Sequence, residues 1–419
     1  MGPTRRRFFV GSAVALGSLA AQPRARPNVL LVMSDQESAL LPGPVNLPHR
    51  ARLSGRGLSF SYAFCNTPQC SPARASLLTG LEPHESGVLT NVDEGSLGKP
   101  LSPSIPTMGS VFQKAGYTTG YFGKWHLGNE SGGLKEYGFE TYSAGNDGQV
   151  TADARAWIRR QKGPWLGWVS LLNPHDIYHF PEDAIKTLSR PGVRAPFSDR
   201  SDLFNKPSEQ REYAEKDQGR ETLDYSARDW IRYRSYYLRL IEKVDAQLGA
   251  ILGAVDLSNT IVVYTSDHGD ALGEHGLPFK GPFMHEELIR IPLVIAGPGI
   301  SKGVSDAMTT QAELAPAVAK FAGITWPGVR RAPDPHAVFL EYYAKQKWVN
   351  PIRTVRTRQW KLNWYDSGHK EFYDLAADPH ETINLANDPA FAEVQSKLET
   401  RIEAWRPGKQ PASARPTTG

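Results

Sequence analysis

Cysteine is nearly absent from this chain, which contains only Cys65 and Cys70 among its 419 residues. Two cysteines are too few for the disulfide framework that holds many small secreted domains together. The sequence leaves open whether the two pair with each other across the short segment between them. If Cys70 is reactive, we expect Cys65 to be a small, buried residue of the core.

A basic surface is also missing once the first residues are set aside. The formal net charge is +4, from 48 basic and 44 acidic residues. Residues 1–26 contain five arginines and no acid, so the other 43 basic residues leave a net charge near −1. No basic stripe remains to bind a phosphate backbone, and we predict no nucleic-acid partner.

The apolar run near the N-terminus is too short to cross a membrane. Phe8–Ala21 falls below the roughly 20 residues that a spanning helix needs. Three arginines precede this run and alanine-rich sequence follows it, which is typical of an export signal. The pattern in Thr4–Phe9 resembles a twin-arginine signal. We predict an export signal over residues 1–26, no stable membrane span, and an exported bacterial protein that is periplasmic or secreted.

Four short apolar segments, which begin at residues 28, 118, 165 and 260, have the composition of buried parallel strands. Amphipathic helical patterns lie between them, the clearest over residues 235–252. This alternation predicts a doubly wound α/β domain, in which ligands bind beyond the carboxyl ends of the strands. One aspartate after a strand is usually a turn residue, but four polar endings together favour a functional site. The residues at these endings are Asp35, Gln36, Lys124, His126, His175, Asp267 and His268.

Cys70 lies where a helix is predicted to begin. Ser71 is a possible helix cap, Pro72 suits a first turn, and the pattern continues as helix to Leu78. A cysteine there would lie at the positive end of the helix dipole, where a thiolate is stabilised. On these residues alone, a buried structural cysteine remains the simpler interpretation.

Five stretches in the same order resemble the sulfatase family of the alkaline-phosphatase-like superfamily, in its cysteine-type, formylglycine-dependent form. The similarity runs from about Pro27 to about Asn387. The resemblance implies an α/β/α sandwich with a mostly parallel sheet over 27–326. It also implies a small α+β subdomain with an antiparallel sheet over 327–405, followed by a tail, 406–419. The stretches are PNVLLVMSDQ, CSPARASLLTG, GYTTGYFGKWHLG, TSDHGDALGEHGLPFKG and KEFYDLAADPHETINL.

The resemblance implies that a formylglycine-generating enzyme oxidises Cys70 to formylglycine (3-oxoalanine) before the chain folds. In the family, one hydroxyl of the hydrated aldehyde attacks sulfur and the other then allows sulfate to leave. The implied activity is hydrolysis of a sulfate monoester on a small molecule or glycan. A sulfated carbohydrate is the substrate that we predict.

The resemblance also implies a divalent cation beside the nucleophile. Asp35, Gln36, Asp267 and His268 match the metal positions of the family. Gln36 stands where many relatives have a second aspartate, and His268 replaces the frequent asparagine. Hard oxygen ligands favour Ca²⁺, with Mg²⁺ as an alternative, and an imidazole ligand also makes Mn²⁺ an alternative.

The remaining candidate catalytic residues follow from the same resemblance. Arg74 and Lys124 match the cations that hold the hydrated aldehyde. His126 matches the histidine that takes a proton when the sulfated hydrate collapses to the aldehyde. Lys280 and His175 match groups that bind sulfate and protonate the leaving oxygen. For His175, a purely structural hydrogen-bonding role is an alternative.

Two other functions remain open at this level. Gln36 and His268 resemble the metal set of phosphonate monoester and phosphodiester hydrolases, which share the aldehyde. A non-catalytic glycan-binding relative is a third possibility, although the intact Cys70 and Arg74 argue against it.

We expect His275 and His285 on solvated loops, and residues 176–229 as loops near the pocket mouth.

Overall fold

The computed structural model of the protein describes residues 26–92, 94–128, 130–181, 187–328, 334, 336–345 and 348–405. The predicted tail and almost all of the predicted export signal lie outside the described residues. Among the described helices, none combines the length and the apolar character needed to cross a membrane.

An eight-stranded sheet with the order β4-β3-β5-β1-β6-β7-β2-β8 forms the centre of the fold. All its neighbouring strands pair in parallel except those that flank β7, which is antiparallel to both β6 and β2. The predicted mostly parallel α/β sheet is therefore confirmed. The strands are β1 (Asn28–Asp35), β2 (Leu58–Phe64), β3 (Thr118–Gly123), β4 (Thr141–Ser143), β5 (Trp165–Pro174), β6 (Thr260–Ser266), β7 (Leu293–Ala296) and β8 (Gly303–Thr310).

Helices cover both faces of this sheet. The α-helices of the described chain are α1 (Pro48–Ser54), α2 (Cys70–Thr79), α3 (Pro83–Ser86), α4 (Met108–Lys114), α5 (Asp147–Arg160), α6 (Ser208–Lys216), α7 (Ala227–Leu252), α8 (Glu286–Ile289), α9 (Leu314–Phe321) and α10 (Ala392–Trp405). Short 3₁₀ segments lie at Lys135–Tyr137, His175–His179, Arg200–Asn205, Gln218–Thr222, Glu274–Gly276, Gln311–Glu313 and Pro389–Phe391.

Strand β1 is covered on both faces, which explains why its sequence is almost continuously apolar. Leu30 and Val32 pack into the core formed with α1, α5 and α7, whereas Leu31 and Met33 pack into the core formed with α2, α4 and α9. Because successive strand residues point to opposite faces, a strand covered on both sides must be apolar at every position.

A second sheet of four antiparallel strands, in the order β12-β11-β10-β9, lies in the C-terminal part. Leu398 and Ile402 of α10 pack against Val355, Leu362 and Phe372 on one of its faces. The predicted small antiparallel sheet is confirmed, whereas the exact domain boundaries stay a prediction. The strands are β9 (Ala337–Lys345), β10 (Trp348–Thr357), β11 (Trp360–Tyr365) and β12 (Lys370–Asp374).

One predicted helix is longer than its pattern, and two expectations about loops were wrong. The helix predicted over 235–252 begins at Ala227, because Ser226 and Asp229 form a capping box there. The described part of 176–229 contains α6, the start of α7 and three 3₁₀ segments besides its loops. His275 and His285 are buried rather than solvated, with rings that face each other at 4.1 Å.

Candidate active site

The carboxyl ends of β1 and β6 bring two aspartates together. These strands are paired in register up to Ser34 and Ser266, so Asp35 and Asp267 both follow at the same edge of the sheet. Both carboxylates are fully buried. The Asp267 carboxylate accepts from the backbone N–H groups of Gln36 and His268, each at 2.9 Å. These bonds fix the carboxylate before any ligand binds.

Cys70 is the first residue of α2, and its sulfur lies at the N-terminus of that helix. The expected Ser71 cap is wrong, because the N-cap residue is Gln69 and makes no side-chain cap. The Ser71 hydroxyl instead donates to the carbonyl oxygen of His126 at 2.6 Å and accepts from the N–H of Val92. Ser71 therefore ties the helix start to the loop after β3.

The sulfur of Cys70 is surrounded by cationic and imidazole nitrogens. Lys280 Nζ lies 3.1 Å away, His268 Nε2 3.3 Å and Lys124 Nζ 3.7 Å. Burial alone would raise the pKa of the Cys70 thiol, but the charges of Lys124, Lys280 and His268 outweigh it and hold that pKa well below its ordinary value. The position is built to stabilise negative charge.

Cys65 lies apart from this chemistry. It is fully buried, it is not in a disulfide with Cys70, and its Sγ lies 3.6 Å from the carbonyl oxygen of Leu288. Burial raises the pKa of its thiol well above the ordinary value. The expectation of a buried core cysteine is confirmed.

Arg74 connects the two aspartates from one turn further along α2. Its Nη2 donates to Asp35 Oδ2 at 2.7 Å and its Nε donates to Asp267 Oδ2 at 3.0 Å. Its Nη1 donates to the carbonyl oxygen of Lys124 and to Ser170 Oγ. With an exposed fraction of 1 %, Arg74 is held rigidly by four acceptors.

Two lysines complete the charge arrangement. Lys124 Nζ donates to Asp35 Oδ2 at 2.5 Å. Lys280 Nζ donates to Gln36 Oε1 at 2.6 Å and lies 3.1 Å from His268 Nε2. Burial would raise the pKa of the Asp35 carboxyl, but Lys124, His175 and Arg74 keep it well below its usual range. Asp35 therefore stays ionised.

His126 and His175 approach the same sulfur from the other strand ends. Both side chains interact with the Cys70 sulfur. Nδ1 of His126 is buried and has no hydrogen-bond partner in the described chain. Burial lowers the pKa of His175, and its ring stacks on Tyr178 at 4.8 Å. All ten residues predicted from the sequence are thus in one site, although their roles stay predictions.

The donor set fits a divalent cation. One ligand atom from each of Asp35, Cys70, Asp267 and His268 lies within 4.8 Å of the others, and all four residues are buried. Two carboxylates, an imidazole and the adjacent Gln36 amide suit Ca²⁺, Mg²⁺ or Mn²⁺.

Sequence reasoning missed two residues that support the site. Asp270 accepts from Gln36 Nε2 at 2.7 Å, and burial raises the pKa of its carboxyl to about 6. Tyr178 stacks on Phe279 at 4.0 Å, and Lys280 Nζ lies 5.5 Å from its ring centroid. Asp270 lies in the same motif as His268, which was an available signal. Nothing local in the sequence indicated Tyr178.

Comparison with solved structures defines the class of this fold. A structure described as a 2-O GAG sulfatase matches with a TM-score of 0.79 at 24% identity, over 91% of this chain and 92% of its own. The phosphonate monoester hydrolase of Agrobacterium radiobacter matches with a TM-score of 0.76 at 21% identity, over 91% of this chain and 96% of its own. The protein has the alkaline-phosphatase-like fold that these hydrolases share.

Sequence comparison gives the family. The sulfatase family model matches residues 27–324, and a model described as the C-terminal part of N-sulphoglucosamine sulphohydrolase matches residues 273–407. The Delta 4,5-hexuronate-2-O-sulfatase of Bacteroides thetaiotaomicron is 29% identical over 94% of this chain and 91% of its own length. The chain belongs to the sulfatase family, whose members hydrolyse sulfate esters, and the predicted membership is confirmed.

Proposed function

We propose that this protein hydrolyses a sulfate monoester through a formylglycine made from Cys70, with a divalent cation at the adjacent carboxylates. The observation that carries the proposal is the setting of the Cys70 sulfur at a helix N-terminus, 3.1 Å from Lys280 Nζ and 3.3 Å from His268 Nε2. An anionic sulfate group needs such a concentration of fixed positive charge, because its own oxygens repel a nucleophile.

The residues around position 70 would divide the work by their contacts. Arg74 holds the carboxylates of Asp35 and Asp267 in place and would not need to touch the ester. Lys124 is 18% exposed at its side chain, so it can contact a sulfate oxygen while it remains paired with Asp35. Lys280 would bind another sulfate oxygen and screen its charge. Lys124 and Lys280 would together orient the ester beside position 70.

Two histidines would handle the protons. Nδ1 of His126 is buried without a partner among the described residues, and the ring interacts with the sulfur of position 70. We assign it the proton that leaves position 70 when sulfate departs. Burial lowers the pKa of His175, so only a minor fraction of its ring is protonated at pH 7; that imidazolium would give its proton to the leaving oxygen and become neutral.

The cation would be held by Asp35, Asp267 and His268, with Gln36 beside them. When bound, it supplies Lewis-acid polarisation of a sulfate oxygen and of the nucleophile. We propose Ca²⁺, with Mn²⁺ and Mg²⁺ as the alternatives. Because only two carboxylates contribute, the affinity for Ca²⁺ should be lower than that of a site with three or four carboxylates.

For the substrate we propose a sulfated carbohydrate. The support is the 29% identity to a hexuronate sulfatase over most of both chains. A polysaccharide substrate lies outside the cytoplasm, which agrees with the export signal predicted over residues 1–26 and with a periplasmic or secreted enzyme. The formylglycine-generating enzyme would act on Cys70 before folding and export.

Mass spectrometry of the peptide that contains Cys70 tests the chemistry directly. We expect the aldehyde form in active protein and loss of all sulfatase activity in Cys70→Ala. Cys65→Ala is the matched control and should keep its activity, since Cys65 lies outside the site. An active preparation with only unmodified thiol at position 70 would refute the proposal. Full activity of Cys70→Ala would also do so.

A phosphonate monoester or phosphodiester hydrolase is the second candidate. Gln36 and His268 favour it, because a metal site with fewer carboxylates matches those enzymes. Turnover of an aryl sulfate and an aryl phosphodiester should be compared on one preparation. We expect the higher kcat/KM for the sulfate, and a strong preference for the diester would overturn this assignment. Binding of sulfated glycans without any turnover would instead indicate a non-catalytic relative.

A further inference from the structure

A second group of potential metal ligands lies outside the candidate active site. It consists of Glu274 in the Glu274–Gly276 turn, Glu287 in α8, and His380 in the loop after β12. One ligand atom from each lies within 4.8 Å of the others. Glu274 and Glu287 are 7 % and 8 % exposed, so this is an interior cluster and not a patch of surface acids.

Glu274 is well bonded. Its Oε1 is paired with Arg234 Nη2 at 2.5 Å, and its Oε2 accepts from the backbone N–H groups of Phe197 and Ser198 at 2.9 and 3.3 Å. These contacts fix the carboxylate and neutralise its charge. Each oxygen keeps lone-pair capacity for a further ligand.

Glu287 is different, because no other residue in the described part of the chain forms a hydrogen bond or ion pair with its buried carboxylate, which accepts only from its own backbone N–H. His380 has a buried Nδ1 that also lacks a hydrogen-bond partner there. The ring of Phe197 stacks on His380 at 4.1 Å and limits its orientation. A buried carboxylate and a buried imidazole nitrogen thus lie close together with unused bonding capacity, which is costly unless a ligand is present.

The charges around Glu287 favour the binding of a cation. Burial, with Glu274 and Glu381 adding to it, raises the pKa of the Glu287 carboxyl to about 8. The facing cation, Lys361, is already paired with Glu286 and Glu381. A bound cation would offset the charge of the Glu287 carboxylate, since buried charges are paired or coordinate metals.

We infer that Glu274, Glu287 and His380 form a second divalent-metal site that joins the C-terminal part of the chain to the segment between β6 and β7. Two carboxylates and one imidazole suit Zn²⁺, whereas Ca²⁺ needs about six to eight oxygen ligands. Zinc ligands at about 2.0–2.2 Å lie within roughly 4 Å of one another, so the three atoms, which lie within 4.8 Å, need at most a small inward movement. The role is structural, since these three residues form a group separate from the one that includes Cys70.

The experiment measures zinc per chain in the untagged full-length protein after equilibration with Zn²⁺ and removal of free metal. We expect Glu287→Gln to bind one zinc ion fewer than the wild type. His369→Gln is the control, because His369 is a half-exposed histidine 3.6 Å from Glu209 and should not change the count. The same comparison is repeated in proteins that also carry Asp267→Asn, a substitution that removes zinc bound at the active site. A failure of the proposed catalytic cation would therefore not alter this difference.

Thermal melting gives the second readout. Zn²⁺ should raise the Tm of Asp267→Asn, and it should leave the Tm of Asp267→Asn combined with Glu287→Gln unchanged. His380→Gln, at a partly exposed position, serves if Glu287→Gln does not fold. Equal zinc content in the wild type and in a folded Glu287→Gln or His380→Gln variant would overturn the inference. Glu287 would then simply be a protonated acid.

Discussion

Replacing Arg74 by methionine should destabilise the protein strongly. Arg74 is 1% exposed and pairs with the fully buried Asp35 and Asp267 at 2.7 and 3.0 Å. Removing one partner of a buried ion pair costs about 3–5 kcal/mol, because the other charge stays buried. In a chain of this size 1 kcal/mol shifts Tm by about 2 °C, so we expect a decrease of roughly 6–10 °C. The melts are run with a chelator, so that no metal shares the carboxylates.

A double-mutant cycle identifies the cause of this loss. If it comes from the unpaired carboxylates, Asp267→Asn combined with Arg74→Met should lose less stability than the sum of the single variants. The expected coupling is about 0.5–3 kcal/mol. Arg358→Met is the control, since the exposed pair of Arg358 with Asp306 should contribute about 1 kcal/mol or less. Additive losses, or a decrease below about 2 °C for Arg74→Met, would refute the reasoning.

Three further predictions concern other parts of the molecule. Lys280→Met removes a cation 3.1 Å from the cysteine sulfur and should lower kcat/KM for an aryl sulfate about 10²–10³-fold; a loss below tenfold would contradict its role. Burial lowers the pKa of Lys345 to about 8, so between pH 8 and 10.5 the unfolded chain binds one more proton than the folded chain. Over that range the stability of the wild type relative to Lys345→Met should rise by about 1.4 kcal/mol per pH unit. A Tm difference between the two proteins that does not change with pH would exclude this titration. A Cβ on Gly269 would lie 1.9 Å from the carbonyl oxygen of Glu287, so Gly269→Ala should lower the Tm by at least several degrees. Gly163 has open space around it, so Gly163→Ala should not lower the Tm. Equal Tm values for the two variants would contradict this packing.

A buried ionic network connects the C-terminal part of the chain to earlier segments. Lys361 is fully buried and donates to the carbonyl oxygen of Met284 at 2.8 Å, and it pairs with Glu286 and Glu381. Lys206 donates to Tyr373 Oη at 2.7 Å. The Lys361 contacts join the second sheet to the segment that carries Lys280, and the Lys206 contact joins it to the segment after Arg200–Asn205. Changes in the C-terminal part can therefore reach the site through packing alone.

Sequence reasoning succeeded where a local rule determines the outcome. The continuously apolar β1 and β6 had to be buried strands, and polar residues at the ends of parallel strands had to meet at one edge of the sheet. This rule was enough to group Asp35 with Asp267 and His268. The order of family motifs added Cys70, Arg74 and Lys280, which do not lie at strand ends.

Other features were decided only by tertiary contacts. Ser71 resembles a helix cap, but its hydroxyl bonds to the loop after β3 and the helix begins at Cys70. His275 and His285 lie in polar or glycine-rich sequence, yet distant segments bury them: Ser198 and Asp202 contact His275, and Glu381 lies 3.8 Å from His285.

The sequence by itself thus determined the sheet, the family and the membership of the candidate site, because strand burial and motif order are properties of short segments. Only the tertiary structure decided which atoms meet. Gln36 contacts Lys280, and Glu274 and Glu287 lie beside His380, across long separations in the chain. Distances of this kind depend on how distant segments pack, and no local pattern encodes them.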